Sequence, residues 1–244
     1  KTAGYVENED LFVVTYDWRL PPGPIDGVID GVIDGGLTAA GISDDLYAYG
    51  VDYLGVFLKR AAEAWAARYP DLPPLDSVDV VAHSTGGLVA RTYIQSGAYG
   101  RDNAAGLALP KINNLIMIGV PNRGASKVWN ILHDNWSSDI AFRLVLSKIV
   151  LRAYVQVMEK GQQIVGPDHT ITKAMLESPL ACPQGPRMCF IDKYIPTART
   201  LLATYDFLDT GSGPASINLD VLQRNSLVLD LNAGLDHVVT GDPN

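Results

Sequence analysis

Val78-Asp79-Val80-Val81-Ala82-His83-Ser84-Thr85-Gly86-Gly87-Leu88 is an apolar, β-branched run, a turn of small residues and the start of a helical pattern. The run predicts a strand over Val78 to Ala82, and Leu88 to Gln95 has helical character with a stop at Gly97. A strand that passes through a tight turn into a helix is the setting in which a serine is lifted out of a sheet toward substrate. Because the backbone bends sharply there, the residues two before and two after the serine, Ala82 and Gly86, are expected to be small so that they do not clash. The turn also puts the Thr85 N–H at a helix N-terminus, where orphan donors and the helix dipole stabilise an oxyanion. Ser84 is thus the candidate nucleophile and Thr85 the candidate backbone oxyanion donor. The plainer reading makes Ser84 an N-cap, a role its residue type favours; the strand before it and the helix after it weigh toward the nucleophile.

Outward from this segment, Leu11 to Tyr16 predicts a buried strand that ends at Asp17-Trp18-Arg19 and Pro21-Pro22. Ser43 has the character of an N-cap with Asp44 and Asp45 in the first turn. From it a stripe of Leu46, Tyr53, Phe57, Ala61 and Ala64 predicts a crossover helix stopping at Tyr69-Pro70. Leu115 to Ile118 predicts a third strand, ended by Gly119-Val120-Pro121. Nearly continuous apolar strands separated by helices imply an α/β fold, a mostly parallel sheet with helices on both faces. The stretch 126–163 is helical and unusually apolar around Ile140, Leu144 to Leu146, Ile149 to Leu151 and Val155. Thr200 to Thr204 and Leu227 to Leu231 are further short candidates.

The length of 244 residues supports one substantial core, so a single domain over 1–244 is the expectation. With 47% hydrophobic and 19% charged residues the chain can offset its ordering entropy and reads as globular. A net charge of -8 argues against an electrostatic grip on nucleic acid or on anionic lipid, both of which favour Lys/Arg clusters, and suits an uncharged ester better. No apolar run is long enough to predict a transmembrane segment. The polar opening from Lys1 to Asp10 leaves export unread.

Ile25 to Gly35 repeats an Ile-Asp-Gly-Val unit that spaces Asp26, Asp30 and Asp34 evenly. The glycine density predicts a surface loop, and the spacing does not match the ligand pattern of a calcium loop, so neither metal nor cofactor is implied. Cys182 and Cys189 bracket Pro183, Gly185 and Pro186, a spacing open both to a disulfide in an oxidising compartment and to two unpaired thiols.

Tyr16-Asp17-Trp18-Arg19, Ala82 to Arg91 and Gly119-Val120-Pro121-Asn122-Arg123-Gly124 together resemble, in order and rough spacing, the lecithin:cholesterol acyltransferase-like lipases of the α/β-hydrolase superfamily. Ala82 stands where the common elbow pattern has glycine. The resemblance covers about Gly4 to Gly124, with a weaker echo at Thr197 to Asp206. It implies the α/β-hydrolase fold with a helical lid or cap at 125–199, an ester or lipid substrate, contact with a lipid interface, and an acyl-Ser84 intermediate passed to water or to an acceptor alcohol. It further implies a triad in the order serine, aspartate, histidine. On the family register, Lys1 falls inside the first helix, the strand with the second oxyanion donor precedes the sequence, and the triad aspartate and histidine follow Asn244. A fragment without full catalytic apparatus, or a binding module, is then the expectation from the other class.

A triad within the chain would use His237, the last histidine, after Asp206, Asp209, Asp220, Asp230 and Asp236, with Asp206 or Asp209 as its partner. The family register gives His237 a structural part instead. His83 reads as support for the elbow, His133 as part of the cap or a surface, and His169 as a turn residue. The apolar helices at 138–157 read as lid or as core; the compartment stays open, with an extracytoplasmic one favoured.

Overall fold

In the computed structural model, residues 4–42, 45–102, 106–136, 140, 142–166, 169–209, 211–217 and 224–233 are described. The chain runs α1 (Gly50–Arg68), β1 (Ser77–His83), α2 (Gly86–Ile94), β2 (Lys111–Ile118), α3 (Lys127–Leu132), a π-helical turn (Phe142–Leu146) and α4 (Ser147–Met158). It continues through β3 (Ile164–Val165), β4 (Thr170–Ile171), α5 (Lys173–Leu176), α6 (Pro186–Tyr194), α7 (Thr197–Thr200), β5 (Leu208–Asp209), β6 (Pro214–Ala215) and α8 (Ser226–Ala233). The result is a mixed α/β chain in two compact units. One comprises Lys1–Trp18, Pro22–Asn122 and Ser226–Asn244; the other comprises Arg19–Pro21 and Arg123–Asn225.

In the first unit β1 and β2 pair in parallel from Ser77↔Lys111 to His83↔Ile118. The register slips between Val78 and Asp79, and there the Asp79 carboxylate accepts from Asn114 Nδ2 at 2.8 Å and Asn113 Nδ2 at 3.1 Å. Those bonds, Asn114's first, hold its pKa below the usual carboxylate range. One sheet face, through Val78, Val80, Ile112 and Leu115, packs on Val51, Leu54 and Leu58 of α1 and Val89, Ala90 and Tyr93 of α2. On the other face Val81, Ile116 and Ile118 are more than half exposed. The expected mostly parallel sheet with helices on both faces is therefore corrected: among the described residues the parallel sheet has two strands and one covered face. An apolar run shows that a strand tolerates burial on both sides, not that both sides are buried.

Three local expectations are also revised. Leu11 to Tyr16 alternates exposed and half-buried residues and joins no named strand; its one described bridge is Glu7↔Leu11. α1 begins at Gly50 rather than after Ser43, because the Asp52 carboxylate accepts the Ala48 and Tyr49 N–H groups, each at 2.8 Å, and closes the first turn there. Ser43 and Asp44 lie outside the described residues. Of the expected stripe Ala61 is buried while Tyr53, Phe57 and Ala64 are half-buried; the buried stripe of α1 is Val51, Leu54, Leu58 and Ala61, because two neighbouring faces of this helix are both apolar at helical spacing. Leu227 to Leu231 lies within α8, and Thr200 to Thr204 is the end of α7 and the turn after it.

The second unit has its own core of Val157, Ile171, Leu176, Phe190, Ile191 and Leu202. The inner face of α4, Val150, Ala153 and Val157, belongs to it, while Ile149 and Leu151 are exposed. Among the described residues the helical stretch 126–163 comprises α3, the π-helical turn and α4, and the apolar surface of α4 is core on one side only. Cys182 and Cys189 are paired in a disulfide, both buried, with Cα atoms 5.5 Å apart. The bridge ties the turn after α5 to α6, which starts with Pro186 in its first turn. Closing so short a loop restricts the unfolded chain by about 2–3 kcal/mol. Cys182→Ala with Cys189→Ala is expected to lose roughly that much in urea unfolding, and an unchanged midpoint would show that the bridge adds nothing.

Candidate active site

β1 ends at His83, and Ser84 N donates to Ile118 O at 2.9 Å, extending the parallel ladder by one bond. The chain then reverses: Ser84 has φ +53°, and Thr85 is already right-handed helical at φ -56° and ψ -25°. Gly87 N returns to Ser84 O at 3.1 Å and Leu88 N to Thr85 O at 2.9 Å, so Ser84 and Thr85 supply the first acceptors of α2. Ser84, Thr85 and Gly86 are half-buried, and Leu88, Val89, Ala90 and Tyr93 behind them are buried. Tyr93 donates its phenol to Pro110 O at 2.8 Å, and burial pushes that phenol up to about 12. The turn thus rests on a buried helix, and among the described residues the N–H groups of Thr85 and Gly86, at its start, have no acceptor.

Positive φ costs a non-glycine residue about 1–2 kcal/mol. The other described non-glycine residues with positive φ are Asn8 and Asp134, of the two types that tolerate this region best. Ser84 lacks that tolerance and is held there by the ladder bond before it and the helix after it.

The steric reason for small residues differs from the expectation in one place. A Cβ on Gly86 would meet no atom within 4 Å, whereas one on Gly87 would lie 2.2 Å from Val120 Cγ2 and 2.7 Å from Val120 Cγ1. Gly87, next to the residue the elbow pattern specifies, is what lets α2 approach the chain leaving β2. Val120 is stiff at χ1, so it cannot swing aside. Gly87→Ala is expected to lose about 1–3 kcal/mol by overpacking, whereas Gly86→Ala, which meets open space in a helix, is expected to lose nothing and to gain up to about 1 kcal/mol; thermal melts of the pair decide between them, and equal losses would contradict this assignment.

Four polar residues, Arg91 on α2, Gln95 at its C-cap and Asp230 and Asn232 on α8, fix the loops around the elbow. Arg91 is buried, which lowers its pKa, and donates to Asn122 Oδ1 at 3.0 Å and to Leu231 O in the last turn of α8. A cation at a helix C-terminus is favoured by the dipole. Asn232 Nδ2 donates to Asn122 O at 2.9 Å, and Gln95 Nε2 to Gly31 O and Leu231 O at 3.0 and 3.1 Å. Asp230 Oδ1 accepts from Asp30 N at 3.0 Å and Gly31 N at 2.8 Å, and burial holds its pKa above the ordinary carboxylate range. Asp230 is therefore the anchor of the aspartate-rich loop. The signal for Arg91 was legible, since a lone Arg between Ala90 and Thr92 breaks an otherwise apolar helix face.

The repeated aspartates serve the loop itself: Asp26 Oδ1 accepts from Val28 N at 2.8 Å, Asp26 Oδ2 from Asp34 N at 3.1 Å, and Asp30 Oδ1 from Val32 N at 2.9 Å. Among the described residues no group of three His, Cys, Asp or Glu could hold a metal ion. No described helix is long and apolar enough to cross a membrane.

The remaining candidates fall as follows. His83 is exposed at the end of β1. In the second unit, the His133 ring lies over Trp129 with Nδ1 2.8 Å from Trp129 O, His169 accepts Gly166 N on its backbone, Asp206 is exposed, and Asp209 accepts Gly211 N. His237, Asp220 and Asp236 lie outside the described residues. Among those described, Ser84 and Thr85 are adjacent at the elbow, and no side chain hydrogen-bonds the Ser84 hydroxyl. An apolar groove of about 240 Å³ along the C-terminal part of α1, lined by Trp65, Tyr69, Pro73 and Leu107, does not include Ser84. Compared with protein-family models, curated proteins and solved structures, the chain matches none.

Proposed function

We propose that the chain is a serine hydrolase of the α/β-hydrolase type, resembling the lecithin:cholesterol acyltransferase-like lipases, that cleaves carboxylic esters through an acyl-Ser84 intermediate. The observation that carries this reading is Ser84 at φ +53° between the end of a parallel strand and the first turn of α2. A serine kept in a costly backbone conformation, on a rigid support, beside unclaimed N–H groups, is suited to attack a carbonyl carbon. In this reading Ser84 Oγ adds to the carbonyl and loses its proton to a histidine base, for which His237 is the candidate within the chain. The Thr85 N–H stabilises the oxyanion, collapse expels the alcohol, and water or an acceptor alcohol takes the acyl group. An ester with a lipid-like acyl chain fits best, and neither metal nor organic cofactor takes part.

A catalytically incomplete hydrolase domain, or a binding module on the same scaffold, is favoured by the absence among the described residues of any partner for the Ser84 hydroxyl. Labelling with a fluorophosphonate, read by peptide mass mapping, separates the two. A rapid adduct on Ser84 is the expected result; a folded chain that never labels overturns the catalytic reading and leaves the second.

A further inference from the structure

The four-residue repeat from Ile25 to Gly35 leaves most of its apolar side chains in solvent. Ile25, Val28, Ile29 and Val32 are between 37% and 57% exposed, and only Ile33 turns into the core. Asp26, Asp30 and Asp34 stand exposed between them, and among the described residues no cation forms an ion pair with any of the three. The loop is nevertheless pinned in place. Ile33 N donates to Gln95 O at 2.8 Å, Asp230 takes the Asp30 and Gly31 N–H groups, and Asp26 Oδ2 takes that of Asp34. An apolar surface already held in one shape loses little entropy when it is covered, which suits it to recognition.

The second unit carries a surface of the opposite sign. Val150, Ala153 and Val157 of α4 are buried in its core, so at 100° per residue Lys148 and Arg152 lie one above the other on the far side of the helix. Leu144, Val145, Ile149 and Leu151 around them are between 43% and 59% exposed, and Arg143 in the π-helical turn adds a third cation. From Phe142 to Lys160 four basic residues stand against the single acid Glu159, in a chain with 19 basic and 27 acidic residues. Among the described residues no acid forms an ion pair with Arg143, Lys148 or Arg152.

We infer that these two surfaces bind each other between copies of the chain, the aspartate loop of one copy seated on the outer face of α4 and the π-helical turn of another. Each surface offers four aliphatic side chains and three charges of one sign, so covering one with the other removes apolar area from water while opposite charges meet. Charge selects this pairing: loop against loop would set acids against acids, and α4 against α4 would set cations against cations. A basic partner of another kind would cover the loop and leave α4 bare, whereas a second copy accounts for both. The net charge of -8 opposes association only weakly at physiological salt, where charges farther apart than about 8 Å are largely screened. If the contact is made reciprocally it closes a dimer, and if made one way it grows a head-to-tail chain; both contain the same contact. Association of this kind does not depend on Ser84.

The test is the molar mass of the purified full chain by sedimentation velocity over about 1–200 µM, the range of weak, specific contacts. The mass is expected to rise with concentration. A loop variant, Val28→Gln with Asp34→Asn, and a helix variant, Ile149→Gln with Arg152→Gln, should each weaken association at least about tenfold, from lost apolar burial and a lost charge pair. Glu63→Gln, an exposed acid on α1, should change nothing. The decisive sample is the equimolar mixture of the two variants, because the intact loop of one then meets the intact α4 of the other: a one-to-one complex is expected where each variant alone is monomeric. That complex also proves both variants folded, and circular dichroism checks each separately. A wild type that stays monomeric at about 200 µM overturns the inference. So does a loop variant that associates like the wild type, which would assign the contact to α4 against α4, and so does a mixture of folded variants that stays monomeric.

Discussion

Ser84→Gly is expected to abolish fluorophosphonate labelling and lower ester turnover by roughly 10⁴–10⁶-fold, while leaving the protein at least as stable as the wild type. The two effects have one origin. At φ +53° the serine Cβ costs about 1–2 kcal/mol, and glycine removes that cost while adding about 0.5–1 kcal/mol of unfolded-state entropy. The net change is between about zero and 1.5 kcal/mol in favour of the variant. Ser84→Ala removes the hydroxyl but keeps the Cβ, so it should be equally inactive without the gain. Labelling rate and thermal melting of the three proteins form one experiment. Labelling that survives in both variants would sink the nucleophile assignment. A loss of about 1 kcal/mol or more in Ser84→Ala would point instead to a serine whose side chain caps α2, since replacing an N-cap serine by alanine typically costs about that much.

Gly124→Ala should cost the second unit about 3–5 kcal/mol, with no change of chemistry at the elbow. A Cβ there would stand 1.9 Å from Leu202 O, 2.5 Å from Leu202 C and 2.8 Å from Ala203 Cα, and the residue has φ +72°. Every one of those neighbours is backbone, so no rotamer change relieves the clash. The chain around Gly124 is stitched to the same segment by Ala125 N to Leu201 O at 2.8 Å and Thr204 N to Arg123 O at 2.9 Å. Asn225 Nδ2 holds that segment from behind through Thr200 O and Leu202 O, at 2.9 and 2.7 Å. Moving the backbone far enough to admit a methyl group breaks several of these bonds. Near-ultraviolet circular dichroism reports it directly, because Trp129 and Trp136 belong to this unit and Trp136 is buried in its core. A melting temperature within a degree or two of the wild type would mean that the segment is far softer than its bonding indicates.

What could be read from sequence follows physical lines. The strand, turn and helix around Ser84 are where the pattern predicts them, because a β-branched run, a glycine pair and an amphipathic helix each carry a distinct local preference. Leu115 to Ile118 was legible for the same reason. The runs Leu11 to Tyr16 and Leu227 to Leu231 are as apolar, yet one joins no named strand and the other is helical. A short apolar run shows that burial is tolerated, and only a pairing partner or a helix neighbour decides whether it is buried and in what geometry. The start of α1 was missed because Asp52 closes its first turn with a carboxylate that does not follow the Ser43 cap. At the elbow itself the residue types were legible and their contacts were not: which glycine is sterically required depends on Val120, 33 residues further along the chain. The disulfide depended likewise on a fold that brings Cys182 to α6.

The bonding of Arg91 also bears on how the molecule comes into being during synthesis. Arg91 is buried, but the Leu231 carbonyl that receives its guanidinium is supplied 140 residues later. At the usual pace of about 5–20 residues per second the ribosome takes roughly 7–28 s to make that stretch. For that interval the elbow helix exists without its carbonyl partner, while the whole of Arg123–Asn225 emerges. The first unit is consequently begun first and finished last, and a nascent chain halted before Ser226 should expose a charged, incompletely docked α2 to chaperones and proteases that the completed protein escapes.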